Sequence, residues 1–372
     1  MPDSAAVLIA ALSGRALAAS ARRAGYLPLV TDFFGDHDTL QVAHAHVRLV
    51  GDLARGIEKC ALTDALAKLS ERGEPVGIVC GSGFEDRTQL LEHVAQRWRL
   101  FGNGADTVAK IKDPEFLSAL CATLKIPFPE WSLAKPASPD DWLAKRRGGA
   151  GGAHIRPASR PDRAEQEIYY QQRIAGISIS GLFVADGTRA VVLGFSEQWS
   201  MPTERQPYRY GGAVRPASVA PCTVDALTAT IQRLVAAVPL RGLNSADFLV
   251  DGERYWLLEI NPRPGATLEI FEPSQGSLFA LHMAACSGKL TAAARDHEDA
   301  KASAIVYAEH DIASVPALNW PDWTTDRPVM GSAIKAGEPL CTVYADGATG
   351  MDARTLTAKR RELVLAWTRA SQ

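Results

Sequence analysis

Apolar and polar positions along the first hundred residues follow two alternating patterns. Short apolar runs at Val7–Leu12 and Tyr26–Thr31 flank a helical pattern at Ala16–Ala24. A third run, Val76–Cys80, precedes another helical pattern at Thr88–Arg97. Short apolar runs separated by amphipathic helices are typical of parallel strands joined by crossover helices. The pattern predicts an open α/β sheet whose ligand-binding loops lie at the carboxyl ends of the strands.

The pattern changes beyond residue 103. Asn103–Lys112 is interpreted as a linker, and Pro114 begins a predicted helix over Glu115–Leu124. From Trp131 onward, short strands and glycine-rich turns predict an α+β region. The predicted strands are Ile174–Phe183, Val191–Phe195, Ala246–Val250 and Tyr255–Ile260, and the predicted helices are Asp225–Ala237, Ser277–Cys286 and Ala353–Arg369.

The predicted fold class is therefore α/β combined with α+β, in several domains. A Rossmann-like domain is expected over 1–105 and a central region over 106–295, with a small β-rich segment over 296–372. We divide the central region into 106–175, which carries a glycine-rich loop, and 176–295, which carries a candidate metal site. A chain of 372 residues is long enough for two or three such domains.

Composition and charge exclude some classes of protein. The formal net charge is −2, so neither a nucleic acid nor a membrane surface is an expected partner. Apolar runs are too short to cross a bilayer. The six cysteines are scattered without a paired motif, which indicates reduced thiols and a cytoplasmic location.

Two predicted strands near residue 250 carry acidic and amide side chains. Glu259 and Asn261 lie two positions apart in a strand, so they share one face. A turn at 251–252 makes the strands a hairpin and can bring Asp247 beside Glu259. Such oxygen ligands suit Mg²⁺, and Arg263 would offer phosphates a planar donor fork. The alternative is an exposed, charged strand end.

A second pattern places Lys145 just before a glycine-rich segment, 148–152. A lysine charge together with unobstructed backbone N–H groups suits a polyphosphate. The alternative is a flexible surface loop. A third pattern, Tyr170–Gly176, is an amphipathic strand that ends in a turn.

From Lys112 to Arg263, the order and spacing of these patterns resemble the ATP-grasp superfamily of ligases. The resemblance implies an ATP-grasp fold, with a Rossmann-like domain followed by two lobes that hold ATP with Mg²⁺. It also implies that 171–174 form the hinge that reads adenine. By this resemblance, the nucleotide-binding residues are Lys112, Lys145, Gly148, Gly149, Gly151, Gly152, Gln171, Gln172, Arg173 and Ile174, the magnesium ligands are Asp247, Glu259 and Asn261, and the catalytic residues are Arg263 and Lys145.

The sequence departs from the family pattern at two positions. Gln172 stands where the hinge usually has glutamate, and Ser178 lies near the position of an acidic residue that often holds the ribose. Recognition of the ribose is therefore expected to differ from that in the family.

A narrower resemblance extends over most of the chain. The segments 13–15, 21–26, 81–85, 151–156 and 326–331 resemble a subgroup of carboxylate–amine ligases from the one-carbon cofactor pathways of methylotrophs. A related ATP-grasp enzyme is the tyramine–glutamate ligase of methanofuran synthesis. The resemblance implies a glutamate donor and a tyrosine or tyramine acceptor.

Four further residues are candidate substrate contacts. Glu85 lies beyond the third strand, where open α/β sheets bind ligands, although it is equally a helix-start carboxylate. His154 follows the glycine-rich segment, although a lone histidine is more often structural. Arg209 and Gly211 belong to an aromatic, glycine-containing segment that either borders a substrate or forms a turn.

The expected activity is ATP-dependent joining of a carboxylate to an amine through an acyl phosphate. The expected partners are these two small molecules, and the expected assembly is a homodimer. The alternatives are an ATP-grasp carboxylase acting on a purine precursor or on biotin, and an ATP-binding regulatory module without activity. A dinucleotide-dependent oxidoreductase is disfavoured because no glycine fingerprint follows the first strand.

Overall fold

The computed structural model describes residues 4–51, 53, 55–160, 167–291 and 299–370. These residues form three β-sheets with helices packed against them. Within these ranges no helix combines the length and the apolar character that a bilayer crossing requires.

The N-terminal sheet is parallel, with strand order β3-β2-β1-β4-β5. Its apolar strands are covered by helices on both faces, as parallel sheets require. Its elements are β1 (Ala6–Ala10), α1 (Arg15–Arg23), β2 (Leu27–Asp32), α2 (His37–Val42), β3 (Ala45–Arg48), α3 (Lys59–Ser70), β4 (Pro75–Cys80), α4 (Gln89–Ala95) and β5 (Leu100–Phe101). The predicted open α/β sheet is confirmed.

A small antiparallel sheet, in the order β6-β9-β7-β8, follows two helices. Asp113 caps the second helix by accepting a hydrogen bond from the backbone N–H of Glu115 at 3.0 Å, and Pro114 is its first residue. The elements are α5 (Ala105–Lys112), α6 (Pro114–Thr123), β6 (Trp131–Ser132), β7 (Trp142–Arg146), β8 (Ile155–Pro157) and β9 (Ile168–Gln172).

The large sheet has eight strands in the order β14-β13-β10-β11-β12-β15-β17-β16. Helix α7 packs on one face through Leu227, Ile231 and Leu234. On the other side, α8 and the sheet share an apolar cluster with α1 and β1. The elements are β10 (Ile177–Asp186), β11 (Ala190–Ser200), β12 (Tyr210–Arg215), α7 (Pro221–Ala237), β13 (Arg241–Asp251), β14 (Arg254–Asn261), α8 (Leu278–Cys286), β15 (Ala300–Tyr307), β16 (Thr324–Thr325), β17 (Pro339–Gly347) and α9 (Gly350–Ala370).

At the domain junctions, one prediction is wrong in part and another lies outside the described residues. The predicted linker Asn103–Lys112 is wrong in part, because α5 occupies Ala105–Lys112. Its apolar residues Val108 and Ile111 are buried, and this packing makes the segment a helix. The predicted boundary at 295/296 lies in 292–298, outside the described residues, and the domain bounds stay predictions. Strand β15 pairs with β12, so the C-terminal strands extend the large sheet.

A network of buried charges joins the N-terminal sheet to the rest of the chain. Arg15, at the start of α1, donates from Nε to Asp326 Oδ1 at 2.7 Å and from Nη1 to Glu269 Oε1 at 2.6 Å. Asp38 lies 3.5 Å from Nε of the same guanidinium and accepts hydrogen bonds from the backbone N–H groups of Asp326 and Arg327. One buried cation therefore neutralises carboxylates from three distant parts of the sequence.

We predict that Arg15→Ala lowers the free energy of unfolding by about 3–5 kcal/mol, because it leaves several partly buried carboxylates without a counter-charge. The measurement is chemical unfolding followed by tryptophan fluorescence. Arg22→Ala is the control, since exposed Arg22 of the same helix donates to the carbonyl of Val42 at the protein surface, and its cost should stay below about 1.5 kcal/mol. Equal costs for the two variants would contradict the assigned role of Arg15.

Candidate functional site

The hairpin of β13 and β14 brings the predicted oxygen ligands together. Asp247 pairs directly with Glu259 across the two strands. Asn261, two residues further on, donates from Nδ2 to Asp247 Oδ2 at 2.9 Å. Ser180, which pairs with Asp247 from β10, donates from Oγ to Asp247 Oδ1 at 2.6 Å. Each carboxylate oxygen of Asp247 therefore has a hydrogen-bond donor, and its position is fixed.

Lys112, the last residue of α5, completes this cluster. Its Nζ donates to Glu259 Oε2 at 3.0 Å and to Asn261 Oδ1 at 2.8 Å. A positive charge thus lies where the carboxylate and carboxamide oxygens converge, which is the arrangement that a hard divalent cation also uses. Among the described residues, no group of three or more His, Cys, Asp or Glu side chains could hold a metal. Two carboxylates and a carboxamide are hard oxygen ligands, and such a set fits an ion such as Mg²⁺ that takes its remaining ligands from phosphates and water.

The two carboxyl groups of the hairpin titrate in opposite directions. Burial and the neighbouring Glu259 charge raise the pKa of Asp247 to about 6, against the lowering effects of Ser180 and Lys112. Burial would also raise the pKa of Glu259, but Lys112, His154 and Lys145 outweigh it and lower the pKa to about 2. Glu259 therefore carries a firm negative charge, while Asp247 is destabilised as an anion until a further cation arrives.

Arg263 forms an ion pair that crosses from the hairpin to the N-terminal sheet. Its Nε donates to Glu85 Oε1 at 2.6 Å, and Glu85 Oε2 accepts the backbone N–H groups of Gly83 and Phe84 at 2.8 and 3.0 Å. Burial alone would raise the pKa of Glu85, but Arg263 and Lys112 lower it. The candidate substrate contact Glu85 is therefore placed against the predicted catalytic arginine.

The second predicted lysine lies on the small sheet. Lys145 on β7 donates from Nζ to Oε1 of Gln171 on β9, at 2.7 Å, and both side chains are buried. Burial lowers the pKa of Lys145, with Lys112 adding to the effect and Glu259 and Asp247 opposing it. The electrostatic coupling to Glu259 places this lysine beside the hairpin cluster.

The predicted hinge lies at the end of β9. The backbone N–H of Gln172 donates to the carbonyl of Glu130 at 2.8 Å, and that of Arg173 donates to the carbonyl of Asp141 at 2.7 Å. Ile174 follows in the connection to β10. Two hinge N–H groups are thus used within the protein, and contact of this segment with a nucleotide stays a prediction.

The glycine-rich segment 148–152 contacts loops from both other parts of the molecule. A Cβ atom at Gly148 would lie 2.6 Å from the carbonyl oxygen of Glu85, and one at Gly152 would lie 1.8 Å from that of Tyr208. The carbonyl of Gly151 accepts the backbone N–H of Tyr210 at 3.0 Å. The segment therefore packs closely on its neighbours at positions where only glycine fits.

The half-buried His154 lies directly against this segment. A Cβ atom at Gly149 would come within 2.1 Å of the imidazole ring. Burial lowers the pKa of His154 to about 4, with Lys145 and Lys112 adding to the effect and Glu259 opposing it. Its Nδ1 has no hydrogen-bond partner among the residues that the structure describes. His154 therefore presents a neutral ring to the cluster.

Lys112, Glu259, His154 and part of the glycine-rich segment line one cavity. The polar part of its lining includes Lys112, Glu259, Gly148 and Gly149. Apolar side chains from α5, α6 and the strands form the remainder. The lining residues are Ile111, Lys112, Pro114, Leu117, Phe128, Arg146, Gly148, Gly149, His154, Tyr169, Leu258 and Glu259.

Two of the candidate substrate residues lie on the loop before β12 and at its start, away from this cavity. Arg209 donates to the carbonyls of Met201 and Gly337, and its guanidinium carbon lies 3.6 Å from the centre of the Tyr307 ring. A Cβ atom at Gly211 would meet the backbone of Met201 at 2.9 Å. Both residues hold loops together here, and a substrate contact for either one stays a prediction.

Sequence reasoning missed Ser180 and did not foresee the Lys145–Gln171 pair. Ser180 stands two positions beyond Ser178, on a strand whose register with β13 decides whether it reaches Asp247. No local motif specifies that register. The pairing of Lys145 with Gln171 similarly depends on the alignment of β7 with β9.

Comparison with known proteins identifies the central region. Residues 111–267 match the model of an ATP-grasp domain. The carbamoyl phosphate synthase large chain of Thermus thermophilus is 24% identical over 250 residues. That alignment covers 59% of this chain and 23% of the relative, so the chain spans about a quarter of that protein.

Solved structures with similar folds cover nearly the whole chain. Biotin carboxylase from Campylobacter jejuni has a TM-score of 0.71 and 14% identity over 98% of this chain and 95% of its own. N5-carboxyaminoimidazole synthetase from Staphylococcus aureus has a TM-score of 0.67 and 14% identity over 97% and 98%. The biotin carboxylase domain dimer of Hydrogenobacter thermophilus 2-oxoglutarate carboxylase, in complex with MgADP, has a TM-score of 0.70 and 11% identity over 91% and 85%. The predicted ATP-grasp fold is confirmed.

We predict that Gly152→Ala loosens the glycine-rich segment more than Gly151→Ala does. Both glycines have positive φ, +74° and +67°, so both variants bear a backbone cost of about 1–2 kcal/mol. Among the described residues, the methyl group added at Gly152 would lie within 4 Å of Tyr208, whose carbonyl oxygen is the nearest atom. The methyl group added at Gly151 would have no atom of these residues within 4 Å. Trypsin cleavage after Arg147 is the measurement, because trypsin does not cut the Arg156–Pro157 bond, and Gly152→Ala should be cut at least about tenfold faster. Similar cleavage rates would show that the contact with Tyr208 does not hold the segment.

Proposed function

We propose that this chain, which carries an ATP-grasp domain over residues 111–267, is an ATP- and Mg²⁺-dependent ligase that joins a carboxylate to an amine. The observation that carries the proposal is the convergence of Lys112, Glu259 and Asn261 beside Asp247. Two hairpin carboxylates, a carboxamide and a lysine from another element form a set suited to a metal and a polyphosphate.

The first chemical step is transfer of the γ-phosphoryl group to the carboxylate substrate. A carboxylate oxygen attacks the γ-phosphorus, the bond to the β,γ-bridging oxygen breaks, and ADP leaves. Positioning and charge stabilisation supply most of the catalysis in such transfers. Asp247, Glu259 and Asn261 would hold Mg²⁺, which neutralises phosphate charge when it is bound. Lys112 and Lys145 supply fixed positive charge beside these ligands.

Arg263, at the junction with the N-terminal sheet, is the arginine that we assign to catalysis. Its guanidinium is anchored through Nε by Glu85, so its orientation is set before any substrate binds. A planar fork held in this way can contact two oxygens of a phosphoryl group at once. We assign it the stabilisation of the transferred phosphoryl group and of the acyl phosphate.

The second chemical step forms the amide. The amine nitrogen attacks the carbonyl carbon, the bond from that carbon to the phosphate oxygen breaks, and phosphate leaves as the nitrogen loses a proton. Water would destroy the acyl phosphate, so the site must be covered. The segment 148–152 packs over the cavity against Glu85 and Tyr208, and this packing supports its assignment as the cover.

The proposed substrates are glutamate as donor and tyrosine or tyramine as acceptor, in the synthesis of a methanofuran-type one-carbon carrier. This choice rests on the narrower sequence resemblance. Two of the segments on which this resemblance rests, 13–15 and 326–331, are joined by the ion pair between Arg15 and Asp326. A cytoplasmic location and a homodimer are part of the same proposal.

Carboxylation is the second candidate function. The observation that favours it is the fold similarity to a biotin carboxylase and to an N5-carboxyaminoimidazole synthetase, each over more than nine-tenths of this chain. A carboxylase would use bicarbonate as the carboxylate that accepts the phosphoryl group. Replacing the amino-acid donor by bicarbonate in the same assay separates the two candidates.

We predict that Glu259→Gln lowers ATP-dependent turnover by about a hundredfold or more. The substitution keeps the shape of the side chain but removes the negative charge beside Lys112 and the metal site, and a bound metal contributes several kcal/mol to such reactions. Glu253→Gln is the control, since Glu253 is exposed at the tip of the same hairpin, and its turnover should stay within twofold. Near-normal turnover of Glu259→Gln at ordinary Mg²⁺ concentration would place the reaction elsewhere.

We predict that ADP and phosphate, not AMP and pyrophosphate, form when both substrates are present. The enzyme is incubated with Mg-ATP and glutamate, with and without tyrosine or tyramine, and the γ-glutamyl amide is sought by mass spectrometry. Pyrophosphate as the product would refute the acyl-phosphate mechanism. Phosphate release with other pairs, but never with glutamate, would keep the mechanism and discard the proposed pathway.

A further inference from the structure

Residues 36–39 and 325–327 lie together beside Arg15, and we call this region the α2 junction. Asp38 accepts hydrogen bonds from two backbone N–H groups of the second segment, both at 2.9 Å. Arg15 forms ion pairs with Asp38 and with Asp326 at the same place. The junction thus joins the carboxyl edge of the N-terminal sheet to the C-terminal strands. None of its residues belongs to the set that we propose for phosphoryl transfer.

Asp36 is a buried carboxyl group without a partner in the α2 junction. It is only 6% exposed. It directly precedes α2, yet its side chain accepts no hydrogen bond from the helix, and within the described ranges it has no ion pair either. Burial raises the pKa of Asp36 to about 8, and three neighbouring carboxylates add to the rise, namely Asp326, Asp32 and Asp38, whereas Arg15 lowers it. A buried carboxyl group in this situation indicates that a bound ligand supplies the partner.

Two threonine hydroxyls of the α2 junction are also unpaired. Among the residues that the structure describes, the buried Oγ1 atoms of Thr39 and Thr325 have no hydrogen-bond partner. Thr39 is 0% exposed and stands three residues beyond Asp36, on the same side of the first helical turn. Thr325 pairs directly with Thr342, so their side chains share a face. Because Thr342 Oγ1 donates to Asp326 Oδ2 at 2.6 Å, that face is turned toward the junction.

We infer that the α2 junction binds a primary ammonium group, with Asp36 as its counter-ion and the hydroxyls of Thr39 and Thr325 as further acceptors. A primary ammonium is compact and donates three hydrogen bonds. One carboxylate and two hydroxyl oxygens can accept all three. The ligand class is therefore a small primary alkyl amine, bound at a site separate from the nucleotide. The inference does not depend on the proposed function, because the site needs no nucleotide.

The charge balance of the junction favours a cation over a neutral ligand. The guanidinium of Arg15 already contacts three other carboxylates and forms no ion pair with Asp36 within the described part of the chain. An ammonium beside Asp36 would supply the missing counter-charge where burial strengthens the attraction. Mg²⁺ is the rival cation, but it prefers carboxylate and carbonyl oxygens, and two of the three free groups here are hydroxyls.

The test measures binding of putrescine to the full-length protein at pH 8, without nucleotide, by thermal melting and calorimetry. At this pH Asp36 is partly ionised. Putrescine should raise the melting temperature of the wild type, because it binds the folded state. Tetramethylammonium, which has the same charge per nitrogen but no N–H donor, should not. Asp36→Asn should weaken the affinity for putrescine at least about tenfold, since it removes a charge-assisted hydrogen bond.

Asp64→Asn is the matched control, with the same change at an exposed position of α3, and its affinity should stay within about twofold of the wild type. Without ligand, Asp36→Asn should melt at or above the wild-type temperature, because it removes an unpaired buried carboxyl group. Thr39→Val keeps the shape, removes one acceptor and should also weaken putrescine binding.

Four results would overturn the inference. The first is that the wild type binds no putrescine, and the second is that tetramethylammonium or Mg²⁺ stabilises the protein as strongly as putrescine does. The third is that neither Asp36→Asn nor Thr39→Val weakens the binding of putrescine. The fourth is a lower melting temperature of ligand-free Asp36→Asn, which would show that the protein itself supplies a partner for this carboxyl group.

Discussion

The contact of the Lys112 ammonium with Glu259 and Asn261 is the interaction on which the candidate site depends. It joins the end of α5 to the end of β14, at 3.0 and 2.8 Å, and so links the helix before the small sheet to the edge of the large sheet. Without this cation, Glu259 and Asp247 would face each other as half-buried cross-strand carboxylates. Such a pair repels strongly in a medium of low dielectric constant. The lysine therefore makes the carboxylate cluster compatible with a folded protein before any metal or nucleotide binds.

Two further charged side chains of the site, Arg263 and Lys145, are also paired with buried partners. Glu85 of the N-terminal sheet neutralises Arg263, and Gln171 of the small sheet accepts the hydrogen bond of Lys145. Arg263 is thus held by a partner from another sheet, whereas Lys145 and Gln171 lie on neighbouring strands of the small sheet. Under the proposed function, ligand binding replaces some of these partners, because phosphates compete for the lysines and a divalent cation competes for the carboxylates. Without a ligand, these contacts hold the charged side chains in place.

Local sequence patterns could predict much of the fold and the convergence of the hairpin side chains. The alternation before residue 100 predicted the parallel sheet, and the spacing of Glu259 and Asn261 predicted their common face, because both properties depend on a fixed backbone period. Patterns could not show that Ala105–Lys112 is a helix, since its eight residues owe their structure to burial of Val108 and Ile111 against distant elements. Nor could they show that Ser180 reaches Asp247 or that Glu85 meets Arg263. Those contacts depend on strand register and on how separate sheets pack.

The positions of the proposed site residues on the three sheets bear on how the substrates are selected under the proposed function. The residues proposed to bind phosphate and metal lie on α5, the small sheet and the β13–β14 hairpin, within the segment 111–267 that matches the ATP-grasp domain. Structures related only by this fold, at 11–17% identity, include carboxylases and synthetases of different named substrates. Under the proposed function, we assign the selection of the carboxylate and the amine to residues outside this set. In this chain the carboxyl edge of the N-terminal sheet meets this set through the Glu85–Arg263 pair. Under the proposed function, the loops around that pair are where we expect the carboxylate and amine substrates to be selected.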